Sequence, residues 1–433
     1  MLPNKMFRLS LLLVVFALAG CAVNPVTGRS ELAFYEMSEK QEVDIGQKAF
    51  PKAIQQMHGE LRDPALQAYV NAVGKRLAAV SHRPQLPYHF AVVNDSSPNA
   101  FAMPGGAIAI TRGLLVGIGN EAQLAAVLGH EIGHVTARHA AQGIQRETLL
   151  SLGMIVLGEA AGGYGALARQ GGQLAATLIE NSYSREQESE ADRLGIDYMV
   201  RAGYNPLGSV QLQEFLLKQS GEQNPAWLAG LFRTHPFSRE RMEANQAYIQ
   251  SRYPTTLHDP HYTLAPEHFH RATAGLRKSA KAYALYDEGR EAEQRKDLNG
   301  AIALYRQAVQ MAPDQALLHA ALGNALLRQD KEAEARTHLE RAVALDGNYF
   351  ESRLELGYVL SQERAWGAAI RELTRSMELM PTLQGAYLLA GAHEQGGDPR
   401  RAVTLYRQVA AADPNGQLGR AAALRARQLG GGP

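Results

Sequence analysis

The sequence predicts a mainly helical α+β fold, with a small β-sheet in the N-terminal part and an all-helical repeat solenoid in the C-terminal part. Three observations support this prediction. Helical patterns dominate residues 38–80, 120–145 and 173–201, only two short stretches favour strands, and one glycine recurs every 34 residues towards the C-terminus. A chain of 433 residues is also too long for one hydrophobic core, so we expect two domains.

The composition is that of an ordinary globular protein. Apolar residues make up 45% of the chain, charged residues make up 20%, and the formal net charge is +1. A protein dedicated to nucleic-acid binding would normally have a basic surface, so we expect no nucleic-acid partner.

The first twenty residues have the pattern of a secretory signal. Two basic residues precede an uncharged apolar run over residues 9–19, which is too short to span a bilayer comfortably. The run ends on Leu18-Ala19-Gly20-Cys21, and this segment resembles a bacterial lipoprotein signal. The resemblance implies cleavage before Cys21, lipidation of its thiol and, because Ala22 follows, attachment to the outer membrane facing the periplasm. An uncleaved anchor helix with an incidental cysteine is the alternative.

Two strands are predicted, at residues 88–93 and 107–111. The turn-rich stretch 97–106 between them suits a hairpin. The apolar stretch 148–167 contains Glu159 and several glycines, so we expect a helix or flap near the active site rather than a membrane span.

An internal repeat marks the second domain. Small residues recur at a 34-residue step, with Ala402 one residue short: Gly289, Gly323, Gly357 and Gly391, and Ala301, Ala335, Ala369 and Ala402. This period resembles the tetratricopeptide repeat, in which small residues let two helices cross closely. We therefore predict a signal at 1–20, a first domain at 21–252, a linker at 253–281 and a repeat domain at 282–430.

The chemistry is expected on the predicted helix 120–145, which Asn120 caps. His130 and His134 lie four residues apart and share one helix face, so both imidazoles can bind the same metal ion. Glu131 can reach a water molecule beside that ion rather than the ion itself. A chance occurrence of the His-Glu-x-x-His pattern is the alternative, and His139 is expected to be a solvated residue that points away.

A third metal ligand has to come from another segment. The acidic stretch on the predicted helix 173–201 offers Glu188 and Asp192 on one face, which suits a ligand and a supporting carboxylate. Glu186 and Glu190 are expected on the opposite side. An acidic helix can also be no more than a solvated charged face.

These motifs resemble those of the gluzincin metallopeptidases. Several further phrases are similar to the HtpX-like and CAAX-prenyl-protease family of zinc endopeptidases: Pro98-Asn99-Ala100-Phe101-Ala102, Pro104-Gly105-Gly106, Ser184-Arg185 and Thr234-His235-Pro236. The resemblance implies one Zn²⁺ per chain, held by His130, His134 and Glu188. It also implies that Glu131 is the general base and that Asp192 orients a ligand histidine.

The resemblance has two further implications. Ala107, Ile108, Ala109 and Ile110 would form the edge strand along which an extended substrate pairs. His235, whose backbone Pro236 restricts, would be a regulatory metal ligand that holds the enzyme latent. A loop histidine that caps a helix or contacts substrate is the alternative for His235.

The sequence therefore predicts a lipid-anchored periplasmic zinc metalloendopeptidase. Its expected partners are misfolded or stalled envelope proteins and, through the repeats, the outer-membrane barrel assembly machinery. The alternative is a periplasmic chaperone or scaffold that acts through its repeats and carries a latent or structural zinc site.

Overall fold

The computed structural model of the protein describes residues 21–23, 26, 28, 30–32, 37–145, 171–179, 182–222, 231 and 233–430. The predicted signal 1–20 and the predicted flap 148–167 lie outside these ranges. Within them, no helix combines the length and the apolar character that a membrane crossing requires.

The first part of the chain contains short strands and amphipathic helices. In chain order these elements are β1 (Cys21–Val23), β2 (Ser30–Leu32), α1 (Glu39–Gln56), α2 (Pro64–Ala78), β3 (His89–Val93), β4 (Ala100–Ala102), β5 (Ala107–Thr111), α3 (Arg112–Gly117), α4 (Glu121–Thr136), α5 (Gly171–Ile179), α6 (Arg185–Arg201), α7 (Leu207–Glu222) and α8 (Arg239–Arg252).

The rest of the chain is helical. Its elements are α9 (Pro266–Ala272), α10 (Ala274–Gln294), α11 (Leu298–Met311), α12 (Ala316–Leu327), α13 (Glu332–Leu345), α14 (Phe350–Gln362), α15 (Trp366–Leu379), α16 (Leu383–Gln395), α17 (Pro399–Ala412) and α18 (Gln417–Gly430). The predicted fold class, mainly helical with a small sheet and a repeat solenoid, is confirmed.

Both predicted strands exist, but they do not form a hairpin with each other. Strands β3 and β5 run parallel, with His89 opposite Ala107, and β4 pairs antiparallel with β5. A parallel pair needs a crossover connection, and the segment between the two strands supplies it while adding β4. The tight turn falls between β4 and β5, where Gly105 and Gly106 adopt φ values of +81° and +101°.

The prediction that Ala107, Ile108, Ala109 and Ile110 form the substrate edge is wrong. The strand order is β3-β5-β4, so β5 is central and its backbone groups pair on both sides. The outer side of β3 is partly covered by the segment around Leu61, whose backbone amide donates to the carbonyl of Val92 at 2.9 Å. Strand β4 forms the opposite edge.

The sheet separates two layers of core because alternate strand residues face opposite sides. Phe90, Ile108 and Ile110 pack into the larger core, together with α2, α4 and α6. Ala91 and Ala109 face α1 and α5 on the other side. Helix α4, which carries His130 and His134, thus packs on a sheet whose other face is covered by α1.

The repeats follow the predicted register. In three of the four, a Cβ atom added to the periodic glycine would lie 2.3–2.7 Å from a side-chain atom on the next helix, as for Gly289 against Tyr305. Each periodic alanine is fully buried, which includes Ala301 and Ala402. Small residues at these crossings are therefore required by the packing.

Part of the predicted linker 253–281 is helical and packs against the first domain. Helix α9 and the start of α10 lie within it, and Phe269 and Leu276 are buried in the core of the first domain. A second junction joins α1 to the repeats. The side-chain nitrogen of Gln55 donates to the backbone carbonyl of Asn348, and its side-chain oxygen accepts from the backbone amide of Phe350, both at 2.8 Å.

Candidate metal centre and active site

Helix α4 begins as predicted but ends early. The side chain of Asn120 caps it by accepting from the amide of Gln123 at 2.9 Å. The helix ends at Thr136 instead of continuing to residue 145, because Arg138 adopts a left-handed conformation with φ +62°. Residues 139–145 form a separate helical segment.

Helices α4 and α6 approach each other closely, and glycines make this possible. A Cβ atom on Gly133 would lie 2.7 Å from the carbonyl oxygen of Ala191, and one on Gly195 would lie 2.8 Å from the amide nitrogen of His130. Helix α6 is a separate element capped by Ser184, not the second half of one helix over 173–201 as predicted. The close crossing brings Glu188 beside the two motif histidines.

Four side chains meet between these helices and the loop before α8. His130, His134, Glu188 and His235 each offer one atom, and these atoms all lie within 4.8 Å of one another. Nε2 of His134 lies 3.0 Å from Nε2 of His130 and 3.3 Å from Oε1 of Glu188. Nδ1 of His235 lies 3.0 Å from the same carboxylate oxygen.

Glu131 lies beside this cluster and does not enter it. Its side chain is buried, and burial raises the pKa of its carboxyl group. Nε2 of His235 lies 3.6 Å from its Oε1. None of the residues that the structure describes forms a hydrogen bond with its Oε2. A buried carboxylate oxygen without a partner is available to a substrate or a water molecule.

Asp192 supports the cluster from behind. Its Oδ1 lies 2.8 Å from Nδ1 of His130, and Arg241 contacts both of its oxygens at 2.6 and 2.8 Å. Burial alone would raise the pKa of Asp192, but the charge and hydrogen bonds of Arg241, with those of His130, hold it well below its usual value. Asp192 is therefore a fixed anion that accepts from His130.

Arg241 was not predicted from the sequence. In addition to Asp192, it contacts Glu188, with Nη1 2.5 Å from Oε2. Burial would raise the pKa of Glu188, yet the nearby His235 and His130 lower it well below the usual value. An arginine five residues after a histidine-proline pair carries no sequence signal of this bridging role, since only the fold brings α8 to α6.

The prediction that His139 is solvated and points away is wrong. Only 2% of His139 is exposed, and its Nδ1 lies 2.9 Å from Nδ1 of His134. Its Nε2 lies 3.1 Å from Oε2 of Glu190, which was expected on the far side of its helix. The left-handed Arg138 turns the chain back towards α4, a change that helical periodicity does not predict.

Tyr183 is another neighbour that sequence patterns did not single out. It is buried, and its ring stacks on the ring of His134 with centroids 3.8 Å apart. The ring of His235 lies 5.6 Å from it. Tyr183 thus limits the space in which either histidine can turn.

The residues fit a zinc ion. Imidazole nitrogens and carboxylate oxygens are among the usual ligands of zinc, and a catalytic site uses three protein ligands with one position left for water or substrate. His130, His134 and Glu188 supply such a set, and burial keeps the pKa of His134 well below its usual value, so that its imidazole is neutral.

A His-Glu-x-x-His helix joined to a distant glutamate, on a helical fold with a small sheet, is the arrangement of a zinc metallopeptidase, and here a repeat solenoid follows it. Residues 64–249 match the sequence model of peptidase family M48, and residues 289–330 match the model of the TPR repeat. The chain belongs to peptidase family M48.

Relatives extend the match beyond the catalytic unit. The chain is 31% identical over 370 residues to the beta-barrel assembly-enhancing protease of Escherichia coli strain K12, which covers 81% of this chain and 70% of that protein. It is 32% identical over 167 residues to the mitochondrial metalloendopeptidase OMA1 of Arabidopsis thaliana, covering 39% of this chain and 33% of that one. A solved TPR protein with an unusual peptide-binding site, YrrB, superposes with a TM-score of 0.31 at 22% identity, over 36% of this chain and 81% of that one.

These matches confirm three predictions. The resemblance to a zinc endopeptidase family with repeats is confirmed, as are the peptidase activity and the use of zinc. The protein is a zinc metalloendopeptidase.

Proposed function

We propose that this metalloendopeptidase is a lipid-anchored periplasmic enzyme that degrades misfolded or stalled envelope proteins during outer-membrane barrel assembly. The observation that carries the proposal is the 31% identity to a beta-barrel assembly-enhancing protease, which spans both the catalytic unit and the repeats. The lipoprotein-like signal that ends at Cys21 supports the anchor.

In this proposal, His130, His134 and Glu188 hold the zinc ion. When bound, the ion acts as a Lewis acid on the scissile carbonyl and increases the acidity of water. Glu131 accepts a proton from the attacking water and passes it to the leaving amine. Burial raises the pKa of Glu131, which makes its carboxylate a stronger proton acceptor.

Two residues position this machinery. Asp192 accepts a hydrogen bond from Nδ1 of His130, which leaves Nε2 of that ring free for the metal. Arg241 bridges Asp192 and Glu188 and thus fixes the third ligand relative to the first. Neither residue needs to touch the substrate for this role.

His235 is the proposed latency residue. Four protein ligands are typical of a closed structural zinc site, whereas a catalytic site keeps one position open. With His235 within the cluster, four donors would be available to a tetrahedral zinc ion, which would leave no position for water. Catalysis therefore requires His235 to leave, and the loop before α8 is the element that would carry it away.

Substrate pairing is proposed along β4 in place of β5. Strand β4 is an edge of the sheet, and Ala100 on it lines the same cavity as His130 and Glu131. An extended chain that adds to this edge gains backbone hydrogen bonds that depend little on sequence. That property suits a protease of unfolded envelope proteins.

The alternative is a chaperone or scaffold in which zinc has a structural role. The four-donor cluster favours it, because structural sites use four protein ligands. The buried Glu131 beside the cluster argues for catalysis, since a structural site has no use for a carboxylate whose Oε2 has no hydrogen-bond partner among the described residues.

The test is capture of substrates in the periplasm by the full-length Glu131→Gln variant. We expect crosslinking of this variant to yield unassembled outer-membrane barrel proteins and components of their assembly machinery, with less capture by His134→Ala, which is expected to lose the metal. Capture of barrel proteins by both variants equally would instead support the scaffold. Capture of unrelated proteins only would contradict the assignment to barrel assembly.

A further inference from the structure

His139 and Glu190 form a hydrogen-bonded chain that ends on a proposed metal ligand. Nδ1 of His139 lies 2.9 Å from Nδ1 of His134, and Nε2 of His139 lies 3.1 Å from Oε2 of Glu190. The side chain of His139 is only 1% exposed. A histidine so fully removed from water needs a partner at each ring nitrogen, and here it has both.

The two facing Nδ1 atoms require a definite proton arrangement. Nε2 of His134 points into the four-residue cluster, 3.3 Å from the carboxylate of Glu188. A neutral histidine that binds a metal through Nε2 carries its proton on Nδ1. Nδ1 of His134 is therefore the donor, and Nδ1 of His139 has to be the acceptor.

The second contact of His139 fixes the same arrangement from the other end. A neutral imidazole that accepts at Nδ1 carries its proton on Nε2. That proton faces the carboxylate of Glu190 at 3.1 Å, and a carboxylate only accepts. Nδ1 of His134 and both ring nitrogens of His139 then have partners with the correct polarity, which is the basis on which tautomers are assigned. Nε2 of His134 carries no proton and is left for the metal ion.

The backbone contributes to this placement. Arg138 has a left-handed φ of +62°, and its guanidinium pairs with the buried Glu42 at 2.7 Å between Nε and Oε1. Without this turn, a continuous helix would carry His139 about 140° around the axis from His134. The strained residue next to His139 thus brings its ring back to face the metal-binding helix.

We propose that His139 and Glu190 are positioning residues that hold His134 in its Nδ1-protonated tautomer and in the ring orientation that presents Nε2 to zinc. The proposal rests on the proposed function in taking His134 as a zinc ligand. It parallels the contact of Asp192 with His130, so each motif histidine would have its own acceptor on α6, one direct and one relayed through a second imidazole. Supporting contacts of this kind contribute about 10–100-fold in metal affinity.

The test is a zinc dissociation constant, measured by competition with a chelator on the full chain. His139→Phe keeps the ring and removes the acceptor, so zinc binding should weaken by about 10–100-fold. His139→Asn can still accept from Nδ1 of His134 and should retain most of the affinity. The melting temperature of the metal-free protein is measured in parallel, because a merely structural role would lower that temperature and leave the zinc constant unchanged.

Glu190 is tested against an exposed carboxylate on the same helix. Glu190→Ala should weaken zinc binding, whereas the matched variant Glu186→Ala should not. Glu190→Gln removes the charge but keeps an acceptor oxygen, so positioning predicts that it binds zinc nearly as the wild type does. Equal losses in Glu190→Gln and Glu190→Ala would mean that the charge acts at a distance, and they would overturn the relay.

The outcomes separate this inference from the proposed function. If the wild type binds no zinc, the proposed metal site itself is wrong. If the wild type binds zinc and cleaves unfolded casein while His139→Phe keeps the wild-type zinc constant, only the relay is wrong.

Discussion

Nδ1 of His235 lies 3.0 Å from Oε1 of Glu188, although 47 residues separate them in the chain. Nδ1 of His235 is also 3.3 Å from Nε2 of His130, so the loop histidine occupies the space between two proposed ligands. A water molecule or a scissile carbonyl needs this same space. In the proposed function, this contact links the position of the loop before α8 to the accessibility of the metal.

His235→Ala is expected to raise basal proteolysis, including self-cleavage, several-fold without lowering zinc content, because three ligands remain. Casein cleavage and metal analysis would measure the two quantities. His261→Ala, which changes a histidine with an 88% exposed side chain, is the control. Reduced cleavage with zinc retained would indicate that His235 contacts the substrate or the transition state instead.

Glu131→Gln is expected to keep zinc and to lose proteolysis by about 10²–10⁴-fold, since the residue lies outside the cluster and is the proposed general base. His134→Ala and Glu188→Ala should lose zinc as well as activity. Atomic absorption and casein cleavage together distinguish the two classes. Zinc loss in Glu131→Gln would show that the carboxylate is a ligand.

Glu355→Gln is expected to stabilise the repeat domain at neutral pH. Burial, with the charges of Glu351 and Glu293, raises the pKa of Glu355 well above its usual value, and Asn324 donates to its side chain. The protonated carboxyl group therefore contributes its full stabilisation of the folded state below the unfolded-state pKa of about 4.3. This contribution to the free energy of unfolding is lost as the pH rises through the folded-state pKa. Glutamine keeps the neutral form at every pH.

The Glu355→Gln variant should therefore melt higher than the wild type by on the order of 2–4 °C at pH 7, and the two should converge near pH 4. Thermal melting followed by circular dichroism at both pH values measures this. A difference that is the same at pH 4 and pH 7 would show that titration of Glu355 is not the cause.

Gln55→Ala is expected to loosen the junction between the catalytic unit and the repeats. Gln55 is buried and satisfies one amide and one carbonyl at the start of α14, and unpaired backbone groups cost about 1–3 kcal/mol. The free energy of unfolding and the rate of limited proteolysis near residue 348 report the change. Gln47→Ala, exposed on the same helix, should behave as the wild type.

Cys21→Ser is expected to abolish labelling by a fatty-acid analogue and to leave the protein uncleaved or soluble, because the thiol is the proposed acylation site. Ala22→Asp is the matched variant: it should keep the label and move the protein to the inner-membrane fraction on a sucrose gradient. Wild-type protein in the inner-membrane fraction would contradict the proposed sorting.

Local patterns in the sequence predicted much of the catalytic helix and the solenoid. His130 and His134 share a face because residues four apart lie on the same side of a helix. Asn120 caps the helix through a hydrogen bond to Gln123, which is only three residues away in the sequence. The 34-residue period predicted the helix crossings, since each glycine or alanine meets a neighbour that the repeat itself defines.

The order of the strands, the placement of His139 against His134 and the contacts of Arg241 depend on the tertiary structure and were not predicted. The central position of β5 depends on pairing between distant segments, which strand periodicity does not encode. His139 reaches His134 only because one backbone angle at Arg138 is left-handed, and Arg241 bridges Glu188 and Asp192 only because α8 packs beside α6. Residue types that can bind and activate zinc are therefore recognisable from local sequence patterns. The side chains that surround them depend on long-range contacts, which form only when the whole chain has folded.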